Sequence, residues 1–230
     1  MKVVILAGGF GTRISEETVK IPKPMVKIGN KPIIDHIINY YLKYNFKEII
    51  VCAGYKKEIL QKYFIKKKFI KVIDTGLKTQ TAARIKKIRK YLGNDKNFCM
   101  TYGDGLSNIN LKKLVKFHFK HKKIGTLCAV RPIPRFGHLT LAKNKVKIFK
   151  EKDSLSEGWI NGGFFVLNSK IFDYISSKQD CIFEKEPLEN LSKDGELMAF
   201  KHENFWHPVD TLRDKNYLNK LIKNNQAPWL

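Results

Sequence analysis

The chain has 230 residues, 43% of them hydrophobic and 28% charged, and this composition excludes wholesale disorder. No apolar run approaches the ~20 residues that a membrane span requires, and the N-terminus lacks the pattern of a leader peptide, so we expect a cytoplasmic protein with no membrane partner. The formal net charge of +23 comes almost entirely from lysines spread along the chain, with only six arginines, which favours a solvated basic surface over a nucleic-acid groove.

The first half of the chain alternates predicted strands with predicted helices. A continuous apolar run at residues 2–7 predicts a strand buried on both faces of a parallel sheet, and it leads directly into a glycine-rich turn. Apolar residues at helical spacing predict a helix at 33–44. Further strands are predicted at 48–53, 71–74 and 98–102, and further helices at 57–64, 81–92 and 111–120.

The second half, from Gly125 onward, has strand-like stretches joined by shorter connections, which we expect to extend the sheet as mixed strands. We find neither an internal repeat nor a low-complexity linker. We therefore expect one domain, residues 1–230, of the α/β class, with a single Rossmann-like, doubly wound mixed sheet. The strand-like stretches are 126–131, 138–141, 146–149 and 162–167, and helical patterns return around 169–176, 187–194 and 213–224.

The four cysteines are widely spaced and contain no C-x-x-C pair, so the sequence indicates neither a zinc site nor a disulfide framework. Three of them lie in apolar, strand-like stretches, where a buried free thiol is expected. The six histidines lack the spacing of a metal-binding set, and we expect them to be structural or solvated. The cysteines are Cys52, Cys99, Cys128 and Cys181.

The segment that follows the first predicted strand is rich in glycine and reads LAGGFGTR from Leu6 to Arg13. Glycines let backbone N–H groups approach the phosphates of a nucleotide, and open α/β sheets bind ligands where their strands end. The segment has neither the Walker pattern nor the G-x-G-x-x-G fingerprint, and alone it also fits an ordinary turn. Arg13 strengthens the phosphate interpretation, because a planar guanidinium suits a triphosphate.

Three further segments carry charged groups that suit the same chemistry. In Pro22-Lys23-Pro24, two prolines limit the freedom of a lysine, which suits a cation held against a phosphate. Asp104 follows a predicted strand between two glycines, and Asp210 lies between Val209 and Thr211. Mg²⁺ is commonly held by one or two carboxylates together with substrate phosphates, so both are candidate metal ligands. Taken alone, each segment also fits a plain loop.

The four segments occur together in an order and spacing that resemble the sugar-nucleotide pyrophosphorylases, and most closely their glucose-1-phosphate cytidylyltransferase family. The likeness covers nearly the whole chain. The resemblance implies a nucleotidyltransferase (glycosyltransferase-A-like) architecture and an enzyme that moves CMP from CTP to the phosphate of a small metabolite, with Mg²⁺ as cofactor. The stretches that carry it are LAGGFGTRISEET, PKPMVKIGNKPI, TYGDG, RFGHL, EKDSLSEGWINGGFFVLN, EKEPLENLSKDGELMAF and FWHPVDTLRDKNYL.

The resemblance also implies a role for each motif residue. Arg13 and Lys23 would be catalytic and would stabilise the triphosphate and its developing charge, while Asp104 and Asp210 would hold the metal. The segment 79–84 would read the base, with its arginine beside the cytidine. The implied nucleotide-binding residues are Leu6, Ala7, Gly8, Gly9, Gly11, Thr12, Thr79, Gln80, Thr81, Arg84 and Gly103.

For the acceptor, the resemblance implies that a nucleotide-binding half, 1–124, is followed by an acceptor-binding half, 125–230. Lys152 would face the phosphate of the acceptor. Subunit contacts near the active site occur in the family, so a homo-oligomer is an alternative that the sequence leaves open. The implied acceptor-binding residues are Arg131, Gly137, Glu151, Lys152, Asn161 and Gly162.

Two departures from the family pattern concern the acceptor. A long excursion in the family is reduced here to residues 65–73, and the family's Glu-Lys-Pro is Glu-Lys-Asp at 151–153. Arg131 and Arg135 lie beside the expected pocket, where guanidinium groups suit an acceptor with a carboxylate. The chain resembles a shortened branch of the family that acts on phosphoglutamine in capsule phosphoramidate synthesis. We therefore expect phosphoglutamine as the acceptor, with glucose 1-phosphate as the alternative.

Three rival functions make different demands on the sequence. A nucleic-acid-binding module predicts clustered arginines and stacking aromatic residues, which the sequence lacks. An inactive regulatory relative is expected to have lost at least one of the four charged motif residues, and all four are present. A uridylyl- or thymidylyltransferase is left open, because the choice of base depends on a few hydrogen bonds that the sequence does not reveal.

Overall fold

The computed structural model describes residues 1–132, 137–150 and 158–230, which fold into alternating strands and helices. The strands are β1 (Val3–Ala7), β2 (Lys27–Ile28), β3 (Lys31–Pro32), β4 (Ile49–Ala53), β5 (Ile70–Asp74), β6 (Asn97–Tyr102), β7 (Gly105–Ser107), β8 (Gly125–Val130), β9 (His138–Ala142), β10 (Lys145–Lys150), β11 (Ile160–Asn168), β12 (Leu197–His202) and β13 (Trp206–Pro208). The helices are α1 (Ser15–Thr18), α2 (Ile33–Lys43), α3 (Lys57–Phe64), α4 (Thr81–Lys87), α5 (Arg89–Leu92), α6 (Leu111–His121), α7 (Glu186–Lys193) and α8 (Leu212–Lys223), with short 3₁₀ helices at Thr12–Ile14, Lys23–Met25 and Ser169–Asp173.

Seven of these strands form one central sheet in the order β12-β8-β11-β6-β1-β4-β5. Neighbouring strands are parallel except at β11, which runs antiparallel to both β6 and β8. Every residue of β1 and β4 is buried, as their continuous apolar runs predict for strands covered on both faces. The prediction of an α/β fold with a mixed, doubly wound sheet is confirmed.

The order of the strands reverses beside β1. The chain passes from β1 to β4 and β5 on one side, and then crosses to β6 on the other side. Open α/β sheets bind ligands in the crevice that such a reversal leaves at the carboxyl ends of the strands. The glycine-rich segment after β1 and the Gly103-Asp104 pair after β6 both line a cavity at this point.

The two faces of the sheet pack against separate layers of helices. Val3 and Ile5 of β1 contribute to the core that contains α2 and α8, while Val4 and Leu6 contribute to the core that contains α4 and α7. All four cysteines are free and buried, as expected for three of them. Within the described ranges, no helix is long and apolar enough to cross a membrane.

The helix predicted at 81–92 is two helices, α4 and α5. The N–H of Ile88 donates to the carbonyl of Ile85 at 3.2 Å, which closes a tight last turn before the second helix begins. The side chain of Ile88 is fully buried in the core beneath the sheet. Helical spacing alone predicts one helix here, because both pieces place their apolar residues on the same face.

β9 and β10 do not extend the central sheet, so that part of the prediction is wrong. They pair antiparallel with each other, with Leu139 opposite Phe149, in a separate two-stranded ribbon. The place beside β8 is taken by β12, an edge strand with three exposed residues among its six. The sequence LMAFKH of β12 has no clear alternation of apolar and polar residues, which is why it was not predicted as a strand.

Candidate active site

A cavity of about 370 Å³ opens at the carboxyl ends of β1 and β6. The residues predicted to bind a nucleotide surround this space. Arg13, Lys23 and Asp104 line it together with the whole set of predicted nucleotide-binding residues. That set is Leu6, Ala7, Gly8, Gly9, Gly11, Thr12, Thr79, Gln80, Thr81, Arg84 and Gly103.

The glycine-rich segment bends sharply at Gly11, whose φ of 68° lies in the left-handed region. A Cβ at this position would lie 2.9 Å from both Lys23 Cβ and Thr18 Cγ2, closer than side chains normally approach. Gly11 therefore serves two purposes, since it lets the backbone turn and leaves room for the lysine side chain beside it. A side chain at position 11 would therefore displace Lys23, which lies 12 residues further along the chain.

Lys23 lies at the centre of a cluster of charges. Its ammonium donates to Asp104 at 2.6 Å and to Asp210 at 2.7 Å, and Arg13 donates to the other oxygen of Asp210 at 2.5 Å. Lys23 is 8% exposed, so burial opposes its charged form, but the two carboxylates outweigh burial and raise the pKa of Lys23. The four residues that the sequence singled out as catalytic or metal-binding thus form one cluster.

The two carboxylates of this cluster are placed to share a metal ion. Asp104 and Asp210 both reach one cationic nitrogen of Lys23 within 2.7 Å, so one small cation in this space can contact both. Oxygen ligands from one or two carboxylates, completed by substrate phosphates, are the set that Mg²⁺ prefers. The residues present therefore fit the metal that the sequence implies.

Asp210 is held by the start of α8. Thr211 is the N-cap of this helix, and Asp214 completes a capping box with it. The Asp214 carboxylate also accepts the backbone N–H of Asp210 at 3.0 Å. The Asp214 carboxylate therefore caps α8 and also fixes the backbone of Asp210, the candidate metal ligand. The sequence VDTLRD alone does not reveal the second of these contacts.

Arg84 lies deeper than a residue that simply contacts a base. The residue is 4% exposed, and its guanidinium donates to the carbonyls of Gly8 at 2.9 Å and Gly76 at 2.7 Å, with further bonds to Ala53, Thr75 and Leu77. These acceptors follow or end three different strands, β1, β4 and β5. Burial lowers the pKa of Arg84. The side chain therefore ties the floor of the cavity together and lines it at the same time.

A second cavity of about 160 Å³ adjoins the first and shares Arg13, Tyr102 and Asp104 with it. Two predicted acceptor-binding residues, Asn161 and Gly162, line this second cavity. The remaining walls come from Thr101, Gly105, Gly163, Phe164, Trp206, Pro208 and Asp210.

Two other predicted acceptor-binding residues lie away from this cavity. Arg131 and Gly137 are not among the described residues that line the second cavity. The Arg131 guanidinium instead lies 4.1 Å from the ring centroid of Trp159, just before β11. Glu151 and Lys152 lie outside the described residues.

Sequence reasoning missed Tyr102 and Trp206. Tyr102 lines both cavities, and the Trp206 indole N–H donates to the carbonyl of Gly162 at 2.7 Å, at the wall of the second cavity. The available signal was position, because Tyr102 directly precedes the Gly-Asp pair and Trp206 lies four residues before the second aspartate.

The family model described as nucleotidyl transferase matches residues 2–223 of the chain. The chain belongs to the nucleotidyl transferase family. The resemblance found in the sequence is thereby confirmed, together with the prediction of an enzyme of this class.

This nucleotidyltransferase is 41% identical to the glucose-1-phosphate cytidylyltransferase of Salmonella typhimurium over 254 aligned residues, which cover 100% of the chain and 98% of that relative. It is also 41% identical to the probable glucose-1-phosphate cytidylyltransferase of Bacillus subtilis over 253 residues, with coverage of 100% and 99%. Among solved structures, HddC from Yersinia pseudotuberculosis has a TM-score of 0.74 at 26% identity, covering 96% of this chain and 99% of that one.

Proposed function

We propose that this nucleotidyltransferase moves CMP from CTP onto the phosphate of glucose 1-phosphate and releases pyrophosphate. The observation that carries the proposal is the junction of the two cavities, where Lys23 and Arg13 meet a pair of carboxylates in a chain 41% identical to glucose-1-phosphate cytidylyltransferases over its full length. A triphosphate in the larger cavity and a sugar phosphate in the smaller one would bring their phosphates together at this cluster.

The proposed reaction is a direct displacement. A phosphate oxygen of the acceptor attacks the α-phosphorus of CTP, the bond from that phosphorus to the bridging oxygen breaks, and pyrophosphate takes the electron pair. The reaction needs no covalent enzyme intermediate, so the protein contributes positioning and neutralisation of charge. Lys23 keeps its proton near neutral pH because its pKa is raised, and it therefore serves as a fixed positive charge.

Each half of the chain has its own part in the proposal. The described residues that line the larger cavity all precede position 105, in agreement with a nucleotide-binding half at 1–124. The backbone N–H groups of the glycine-rich segment are proposed to hold the phosphates, while residues 79–84 read the base and Arg84 fixes the strand ends beneath it. The smaller cavity takes residues from both halves, with Asn161 and Gly162 from the second.

Asp104 and Asp210 are the residues proposed to hold Mg²⁺. When bound, the metal would neutralise charge on the phosphate oxygens of the nucleotide. Arg13 and Lys23, which bond these carboxylates in the structure, lie within the same cavity as the proposed triphosphate. Their side chains can therefore bond either to the carboxylates or to phosphate oxygens.

Phosphoglutamine, the acceptor expected from the sequence, is the second candidate, because the two curated relatives described above carry the name of the glucose enzyme. One observation still favours it. The alignment with the Salmonella relative is 254 residues long against 230 in this chain, and the connection from α3 to β5 is only residues 65–69. This departure from the glucose enzymes is the feature that favours a different acceptor.

The test is a matrix of pyrophosphate-release assays. Each of CTP, UTP, dTTP, ATP and GTP is paired with glucose 1-phosphate and with phosphoglutamine, in the presence of Mg²⁺, and Asp104→Asn is the matched inactive control. The proposal predicts release with CTP and glucose 1-phosphate that the variant lacks. Release with CTP and phosphoglutamine alone would establish the second candidate, and preference for another triphosphate would contradict cytidylyl transfer.

A further inference from the structure

Tyr102 lies on the wall between the two cavities. It is the last residue of β6, directly before the Gly103-Asp104 pair, and it lines both spaces. Arg13 and Asp104, the other residues that line both, belong to the proposed reaction centre. Tyr102 has no charge to offer a phosphate, so its place on this wall needs a different explanation, which its hydrogen bonds supply.

The Tyr102 hydroxyl connects two side chains. It donates its proton to one oxygen of the Glu184 carboxylate and accepts the Asn161 amide N–H at 3.1 Å. The direction of these bonds follows from chemistry, since a carboxylate only accepts and the tyrosine has a single proton. Asn161 is fixed at its other end too, because its side-chain oxygen accepts the backbone N–H of Gly163 at 2.8 Å. The amide that lines the acceptor cavity is therefore oriented by Tyr102.

Glu184 extends this connection to the nucleotide cavity. Its second oxygen accepts the hydroxyl of Thr81 at 2.7 Å, and that hydroxyl in turn accepts the backbone N–H of Phe183 at 2.8 Å. Thr81 begins α4 and lines the nucleotide cavity. One carboxylate thus bonds both the segment proposed to read the base and the tyrosine that orients Asn161.

The backbone leaves room for the tyrosine ring. Gly163 has a φ of 75°, and a Cβ there would lie 2.5 Å from Cδ2 of Tyr102. The ring also packs edge to face on Phe165, with centroids 5.8 Å apart. Burial, followed by the charge of Glu184, raises the pKa of Tyr102, which keeps the hydroxyl protonated as a donor.

We propose that Tyr102 is a positioning residue for the acceptor and that Glu184 couples it to the nucleotide-binding segment at Thr81. The inference rests on the proposed function, because it takes the second cavity to be the acceptor site. A bound nucleotide would order the start of α4, where Thr81 bonds Glu184. Through Glu184 and Tyr102, this ordering would hold Asn161 in the orientation that binds the acceptor. Each substrate should then lower the KM of the other.

The test measures initial rates over a grid of both substrates for Tyr102→Phe and Glu184→Gln. Tyr102→Phe keeps the ring and removes both hydrogen bonds, so the acceptor KM should rise about three- to tenfold while the CTP KM changes less than about twofold. Glu184→Gln cannot accept from Thr81 and Tyr102 together, so the mutual lowering of KM should decrease. Tyr174→Phe is the matched control, because it removes a tyrosine–carboxylate bond to Asp194 from a residue that is not among those lining either cavity.

The outcomes separate this inference from the proposed function. Thermal unfolding of each variant identifies a general loss of structure. Glu184 is exposed, so Glu184→Gln leaves the packing of the core unchanged. An acceptor KM unchanged in both variants, or equal rises in both KM values, overturns the inference while the wild-type activity still supports the proposed function. Absence of turnover in the wild type with either acceptor refutes the proposed function and the inference with it.

Discussion

The ammonium of Lys23 lies 2.6 Å from a carboxylate oxygen of Asp104, in the space where the proposed metal ion would lie. The same ammonium is 2.7 Å from Asp210, so the two carboxylates already share a cation supplied by the chain. If Asp104 and Asp210 hold Mg²⁺ as proposed, Lys23 and the metal compete for the same two carboxylates. The metal affinity of the protein should then depend on whether a phosphate group is present to receive the lysine.

Replacing Lys23 by Met should increase the affinity of the nucleotide-free protein for Mg²⁺, because Asp104 and Asp210 lose the ammonium that they share, while Arg13 still bonds Asp210. Turnover should fall by roughly 10²–10³, the size of effect seen when one charge-stabilising donor is removed. The measurement is the rise in Tm as Mg²⁺ is added, with Lys20→Met, at an exposed lysine, as the matched control. Equal Mg²⁺-dependent rises in wild type and Lys23→Met would contradict the competition.

Gly8 and Gly9 are adjacent but should respond differently to replacement by Ala. A Cβ at Gly8 would lie 2.2 Å from Nη1 of Arg84 and would displace the guanidinium from its carbonyl partners, whereas a Cβ at Gly9 meets no atom within 4 Å. We expect Gly8→Ala to lower the free energy of unfolding by about 2–4 kcal/mol and Gly9→Ala by about 0.5 kcal/mol or less. Urea denaturation measures both, and similar losses in the two variants would show that Arg84 does not need the space.

Asp214→Ala should separate stability from activity when compared with Asn110→Ala. Asp214→Ala removes the third-position side chain of the α8 capping box and Asn110→Ala removes the N-cap of α6, and each should cost about 1 kcal/mol of unfolding free energy. Only Asp214 also accepts the backbone N–H of Asp210, at 3.0 Å. Asp214→Ala should therefore weaken Mg²⁺-dependent activity while Asn110→Ala does not. Equal activity in both variants would contradict the role of Asp214 in placing Asp210.

His118 should make the protein less stable in mild acid. Burial lowers the pKa of His118 to about 4 in the folded chain, against 6.5 for an ordinary histidine. Its Nδ1 is 2.9 Å from the Thr126 hydroxyl and its Nε2 is 3.1 Å from the Asn97 carbonyl oxygen, an arrangement that a neutral ring satisfies.

As the pH falls below 6.5, the unfolded chain takes up the proton before the folded chain does. The contribution of His118 is therefore complete above pH 6.5 and is lost between pH 6.5 and 4, and the loss should reach about 2–3 kcal/mol at pH 4.5. Unfolding free energies at pH 7 and 4.5 should show a smaller difference in His118→Gln than in wild type. A resonance of His118 that titrates near pH 6.5 in the folded protein would exclude this effect.

Local pattern predicts much of this fold because short-range and long-range preferences agree. α3 occupies the predicted range, Lys57–Phe64, and the buried strands β1 and β4 follow from continuous apolar runs. The residues that line the larger cavity were implied by the resemblance, and the loops after β1 and β6 meet there because the strand order reverses beside β1. Where pattern and tertiary packing disagree, as at the break before α5, the packing decides.

Contacts between distant residues explain what the sequence did not reveal. Glu184 bonds Tyr102 across 82 positions of sequence, and nothing in the local pattern EKEPLENL distinguishes this carboxylate from its exposed neighbours. Arg84 was expected beside the base, but its bonds to carbonyls of three strand ends are set by tertiary packing. The ribbon of β9 and β10 has strand pattern, yet pattern does not specify which sheet a strand joins.

The transfer of isotopic label from CTP tests the central claim most directly. The purified protein is incubated with Mg²⁺, glucose 1-phosphate and CTP labelled at either the α- or the γ-phosphorus, and the products are separated and counted. Nucleotidyl transfer predicts that the α label appears in the sugar product and the γ label in pyrophosphate. A γ label on the sugar, or an α label that stays in CTP while unlabelled product forms, would contradict the proposed reaction.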